Sequence, residues 1–175
     1  MMVNSSDWLL TGRFFGQQAV GLLLLDQEVQ SLQLSYSAYK TTRARLESER
    51  PADVIPELLH QAKVFVCAMR RFARLVETLA AARSPFPGAQ PEIKLAWKKK
   101  LSFLNTYIDP RNAIEHIDGE VKPKSRWVLT NIENDQFKVT EGSGAEVSDR
   151  ALATALDLRG EIVAAALREG AATRS

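Results

Sequence analysis

Residues Asp109-Pro110-Arg111-Asn112-Ala113-Ile114-Glu115-His116-Ile117-Asp118 gather a guanidinium, an amide, an imidazole and carboxylates, in a chain whose only other histidine is His60. An imidazole with an ordinary pKa near 6.5 can give or take a proton at cellular pH, and a guanidinium can hold a phosphate through two parallel hydrogen bonds. Asp109 suits a helix N-cap and Pro110 a first helical position, so a helix is expected from here to about Gly119. Asn112 and His116, four residues apart, then share one face. Arg111 lies about 140° round the axis from His116 and flanks that face. A small oxyanion at this helix N-terminus can touch all three side chains.

Arg111 is the hardest of these residues to explain by stability. A cation in a first helical turn opposes the macrodipole, at a cost of roughly 0.3 to 1 kcal/mol. Glu115, four residues on, can offset about 0.3 to 0.5 kcal/mol as an ion pair. Two explanations therefore stand side by side, a surface pair and an oxyanion site. Asp109 argues partly against the second, because its carboxylate competes for the same donors.

The run Arg111-Asn112-Ala113-Ile114-Glu115-His116 resembles the signature of the HEPN superfamily, an arginine and a histidine four to six residues apart with a small polar residue directly after the arginine. Its position at the start of a late helix, after two long ones, matches the family as well. Only the motif is specific; the likeness extends over the helical core, residues 15 to 170. The resemblance implies an all-α, HEPN-like bundle of four to five helices and a metal-independent endoribonuclease. In that reaction the 2′-hydroxyl of RNA attacks the adjacent phosphate and leaves a 2′,3′-cyclic phosphate and a 5′-hydroxyl. His116 is then the general acid or base, Arg111 the phosphate holder, and Asn112 the group that orients the histidine or the scissile phosphate. One histidine per motif implies a homodimer that faces two motifs across its interface. The resemblance also suggests a toxin or defence effector held by an antitoxin or regulatory protein.

Neither Glu115 nor Asp118 is assigned a catalytic role. A metal set of Glu115, His116, Asp118 and His60 lacks any recognised ligand spacing, so no metal or cofactor is expected. Two alternatives remain open. One is a HEPN-like module that binds or regulates without cleaving; the other is an unrelated helical interaction protein in which Arg111, Glu115 and His116 form a surface ion-pair network.

The elements that must position the motif follow from periodicity. The chain has 175 residues, 45% hydrophobic and 25% charged, with a net charge of +2. That is the composition of one globular domain, 1–175, with a sizeable core. So small a charge does not announce a nucleic-acid binder. Arg70, Arg71, Arg74 and Lys98-Lys99-Lys100 are clustered, and each cluster reads first as a solvated helix face. The lone cysteine, Cys67, is expected buried and reduced, in keeping with the cytoplasm. The apolar run from Ala19 to Leu25 is too short to span a bilayer, and no secretory signal precedes it, so no membrane association is expected.

Helices are expected at Gln17 to Glu47, with Val20, Leu23, Leu24, Val29, Leu32, Tyr36 and Tyr39 inward; at Ala52 to Arg83, with Phe65, Met69 and Phe72 inward; and at Glu92 to Tyr107. Pro56 is tolerable if it falls in a first turn, and 84–91 reads as a loop. A β-hairpin is expected at about 126–140, turning over Glu133 to Gln136. Ser148 then caps a last helix from Asp149 to Glu169, with a frayed tail from about 170. Trp8, Trp97 and Trp127 read as core anchors, although an exposed Trp127 can stack on a base.

Overall fold

The computed structural model describes residues 16–110, 130–133, 136–139 and 144–172. Within them the chain is an all-α bundle with a small antiparallel sheet inserted before the last helix. Helix α1 spans Gln17–Ala44 and ends in one 3-10 turn, Arg45–Glu47. Helix α2 spans Pro51–Ala80, α3 Gln90–Asn105 and α4 Asp149–Ala172. Strands β1 (Thr130–Glu133), β2 (Gln136–Val139) and β3 (Ala145–Glu146) lie in the order β1-β2-β3, antiparallel throughout.

The core phase of α1 is the expected one from Val29 to Tyr39 and departs from it in the first two turns. Leu22, Leu25, Val29, Leu32, Tyr36 and Tyr39 are buried, whereas Val20, Leu23 and Leu24 are exposed. Gly21 accounts for the choice. It faces Leu79 and Phe86 so closely that a Cβ would stand 3.2 Å from a Leu79 methyl. That close approach turns Leu22 and Leu25 inward and leaves the residues on either side of them outside.

Helix α2 supplies more of the core than any other element, with Val54, Leu58, Ala62, Phe65, Val66, Met69, Phe72, Val76 and Leu79 all buried. Pro51 is its first residue, where a missing N–H removes no helical bond. Pro56 falls in the second turn and not the first, so the carbonyl of Ala52 has no i+4 amide to accept from. Cys67 is half-buried, not buried.

The stretch between α2 and α3 contributes to the core despite its loop composition. Phe86 is fully buried, and its amide donates to the Ser84 hydroxyl at 3.1 Å. The Gln90 side-chain amide donates to the last α2 carbonyl, Ala80, at 2.8 Å. Helix α3 therefore starts two residues earlier than expected, with Pro91 in its first turn. Trp97 is half-buried and packs against the core from the side; Trp8 and Trp127 lie outside the described residues.

In the sheet, Glu133 pairs with Gln136. Both are strand residues where turn residues were expected, and only positions 134 and 135 separate the strands. The short strand β3 was not anticipated; it pairs Ala145 with Phe137, which buries both side chains. Ser148 caps α4, its hydroxyl accepting from the Ala151 amide at 3.1 Å. Helix α4 continues to Ala172, three residues beyond the expected Glu169.

Helix α4 is tied to α1 through a nearly buried ion pair. Arg159 Nε and Nη2 approach Asp26 Oδ1 at 2.8 and 2.7 Å. Asp26 Oδ2 is buried and has no hydrogen-bond partner among the described residues. Among the described residues, no helix is long and apolar enough to cross a membrane.

Candidate functional site

The motif residues Arg111, Asn112 and His116 lie outside the described residues, as do Glu115 and Asp118. The chain is described up to Pro110, the residue directly before Arg111. Helix α3 stops because its last turn tightens: the Thr106 amide turns back to the Phe103 and Leu104 carbonyls, and the Thr106 hydroxyl donates to Phe103 at 2.7 Å. Helical structure resumes at Ile108 and includes Asp109 and Pro110. The restart therefore precedes the expected Asp109 cap, with Asp109 exposed inside the first turn and Pro110 buried.

Tyr107 fixes this junction. Its side chain is fully buried, its ring meets Phe103 edge-on at 5.6 Å, and its hydroxyl donates to the Glu146 carbonyl at 2.6 Å. Burial pushes the phenol well above its ordinary range, with the Glu146 carboxylate adding to the effect and Arg150 opposing it. Tyr107 thus remains a neutral donor and pins the approach to the motif against β3.

The other side of Glu146 lines a cleft of about 690 Å³ between the C-terminal end of α1 and the start of α4. Tyr36, Lys40 and Arg43 come from α1, one turn apart, while Ser148 is the cap of α4 and Asp149 and Arg150 lie in its first turn. Lys40 Nζ lies 3.4 Å from Asp149 Oδ1 and 5.7 Å from the centre of the Tyr36 ring. Arg150 reaches 5.9 Å above the Phe103 ring, which links the cleft to the same aromatic pair that holds the junction. The Ser148 hydroxyl donates to the Glu146 carboxylate.

Protonation equilibria limit what the cleft can do. Tyr36 is pushed up to about 12, first by burial and then by the neighbouring Asp149 carboxylate. Tyr39 is raised by burial, with Arg43 opposing. Phenols held this way donate hydrogen bonds at neutral pH and do not exchange protons. Lys40, Arg43 and Arg150 are matched in number by Glu47, Glu146 and Asp149, so the lining carries no net charge. The cleft can bind and orient a polar group.

No cluster of three or more His, Cys, Asp or Glu side chains able to hold a metal occurs among the described residues. His60 is exposed on α2. Of the basic clusters, Arg71 pairs with Glu28 across α1 and α2 at 3.1 Å, while Arg74, Lys98 and Lys99 are exposed. The cleft has no local sequence signature because its two walls are 109 residues apart, the separation of Lys40 from Asp149. The available signal was the turn-by-turn spacing of Tyr36, Tyr39, Lys40 and Arg43. The chain matches no family model, no curated protein and no solved structure.

Proposed function

We propose that this protein is a HEPN-like, metal-independent endoribonuclease that cleaves RNA to 2′,3′-cyclic phosphate ends. Arg111 holds the scissile phosphate, Asn112 orients it or the histidine, and His116 moves the proton. The observation that carries the reading is the Arg111 to His116 spacing, directly after a helical restart whose entry is anchored by Tyr107. An entry fixed by a buried hydrogen bond limits the orientations open to the residues that follow it, which is what a phosphate site needs. The reading carries a homodimer, which supplies a second histidine, and places the protein in the cytoplasm as a toxin or defence effector restrained by an antitoxin or regulatory partner.

The charge-balanced cleft beside the junction favours one second reading, a HEPN-like module that binds without cleaving. Cleavage of a mixed RNA by metal-stripped protein in EDTA separates the two. Wild type is expected to release cyclic-phosphate ends. Folded His116→Ala and Arg111→Ala variants are each expected to lose on the order of 10² to 10⁴ in rate. No cleavage by wild type, or equal cleavage by all three proteins, removes the catalytic reading.

A further inference from the structure

The outward face of α1 is unlike a solvated helix face. Val20, Leu23, Gln27, Gln30, Leu34, Ser37 and Thr41 recur at alternating steps of three and four, and every one of them is exposed. Leu34 is 66% and Val20 54% exposed, with Leu24 beside them at 43%. None of these side chains is ionised. The stripe lies nearly opposite the buried series from Leu22 to Tyr39, where a helix on a bundle surface ordinarily carries its charges. Its spacing is that of a left-handed coiled-coil seam.

We infer that this face is a contact between two copies of the chain, paired antiparallel through α1. The occupant follows from self-complementarity. With the two-fold axis between residues 28 and 29, Leu23 meets Leu34, Gln27 meets Gln30, and Val20 meets Ser37 of the second copy. A glutamine amide both donates and accepts, so the two Gln27–Gln30 pairs satisfy each other at the centre. A shift of one heptad in either direction sets a leucine against a glutamine. Parallel pairing would bring the Lys40 and Arg43 ends of both copies together, whereas the antiparallel arrangement holds the two Lys40 levels about 35 Å apart by the helical rise.

Charge and size agree with the assignment. The stripe residues are uncharged, and Asp26, which lines the groove beside Val20, Leu23 and Gln27, is already paired with Arg159, so burying the face leaves no unpaired ion at the interface. The seam is about 32 Å long and about 10 Å wide, so two copies with interlocked side chains bury on the order of 1,000 Å², the threshold for specific association. The contact is independent of the ribonuclease reading. Tyr107 anchors the entry to the motif beside the C-terminal end of α1, and the antiparallel pair keeps those ends apart instead of facing them together.

The test is the mass of the full-length protein by light scattering at about 100 µM, a concentration that populates even a micromolar contact. Leu23→Glu combined with Leu34→Glu is expected to halve the mass without changing the helical circular dichroism. Val64→Glu, at an exposed position on α2, is expected to leave the mass unchanged. Because Leu23 is partly covered, a second measurement uses cysteines in a Cys67→Ser background. A mixture of Leu23→Cys and Leu34→Cys proteins is expected to give a disulfide-linked pair, while Leu23→Cys alone gives little. A monomeric wild type overturns the inference and leaves a different protein as the occupant. A mass unaffected by the double variant, or preferential Leu23→Cys self-linkage, overturns it as well.

Discussion

Helices α1 and α2 pack against each other with similar inward faces, yet their outward faces obey different rules. On α2 the exposed positions include Asp53, Glu57, His60, Arg71, Arg74 and Glu77, the usual charged coat of a bundle helix. On α1 the exposed residues from Val20 to Ser37 are all aliphatic, amide or hydroxyl, and charge returns only at Lys40. Both helices bury enough apolar surface to be held by the bundle, so the difference does not arise from a need for core. A face kept free of charge without being buried is suited to a contact outside the chain, and one coated in charge is suited to water.

The largest expected effect compares the two faces of α1 directly. Leu32 is fully buried and Leu34, two positions on, is 66% exposed. Leu32→Ala is expected to cost about 2 to 5 kcal/mol in urea unfolding, and Leu34→Ala to stay within about 0.5 kcal/mol, both measured at protein concentrations too low for association. Equal losses would mean that the outward face is part of the fold. Next comes Asp26→Ala, which leaves the Arg159 guanidinium nearly buried without its carboxylate. The expected loss is about 2 to 3 kcal/mol, below that of a fully buried pair because Asp26 and Arg159 retain 12% and 16% exposure. An effect under about 0.5 kcal/mol would reduce this pair to an ordinary surface bridge.

The smallest effect concerns pH. Tyr36 is raised to about 12 in the folded chain from an ordinary value of 10.0. A raised phenol keeps its full stabilising contribution below pH 10 and loses it as pH climbs toward 12, because the unfolded chain releases its proton first. Unfolding midpoints should therefore fall above pH 10, and Tyr36→Phe should fall less steeply while Tyr39 and Tyr107 still titrate. Identical slopes for the two proteins would show that Tyr36 does not contribute.

Much of the bundle was readable from sequence because helix signals are local. Apolar period and the Ser148 cap each act within a few residues, so α1 to α4 lie within about three residues of the ends expected for them. The phase at the start of α1 was not readable, since Val20, Leu23 and Leu24 are as apolar as Leu22 and Leu25. What selects between them is Gly21 against Leu79, a contact between distant parts of the chain. Phe86 was missed for a related reason: its neighbours Ser84, Pro85, Pro87 and Gly88 describe a loop, and nothing local says that the loop turns a ring inward. Of the site, the sequence carries the motif spacing, and the cleft beside its entry exists only once β3 and α4 have docked on α1.

Glu169, near the end of α4, accepts a hydrogen bond from the Ala89 amide at 2.7 Å, at the start of a helix that has no side-chain cap of its own. During synthesis the donor is made 80 positions ahead of its acceptor, and the Asp26 carboxylate waits 133 positions for Arg159. A growing chain can form α1, α2 and α3 as they emerge, but the seals on two of them arrive with the last helix. Assembly should accordingly be slower than the local character of helices suggests, and a chain halted before residue 159 should be the form most exposed to capture by chaperones.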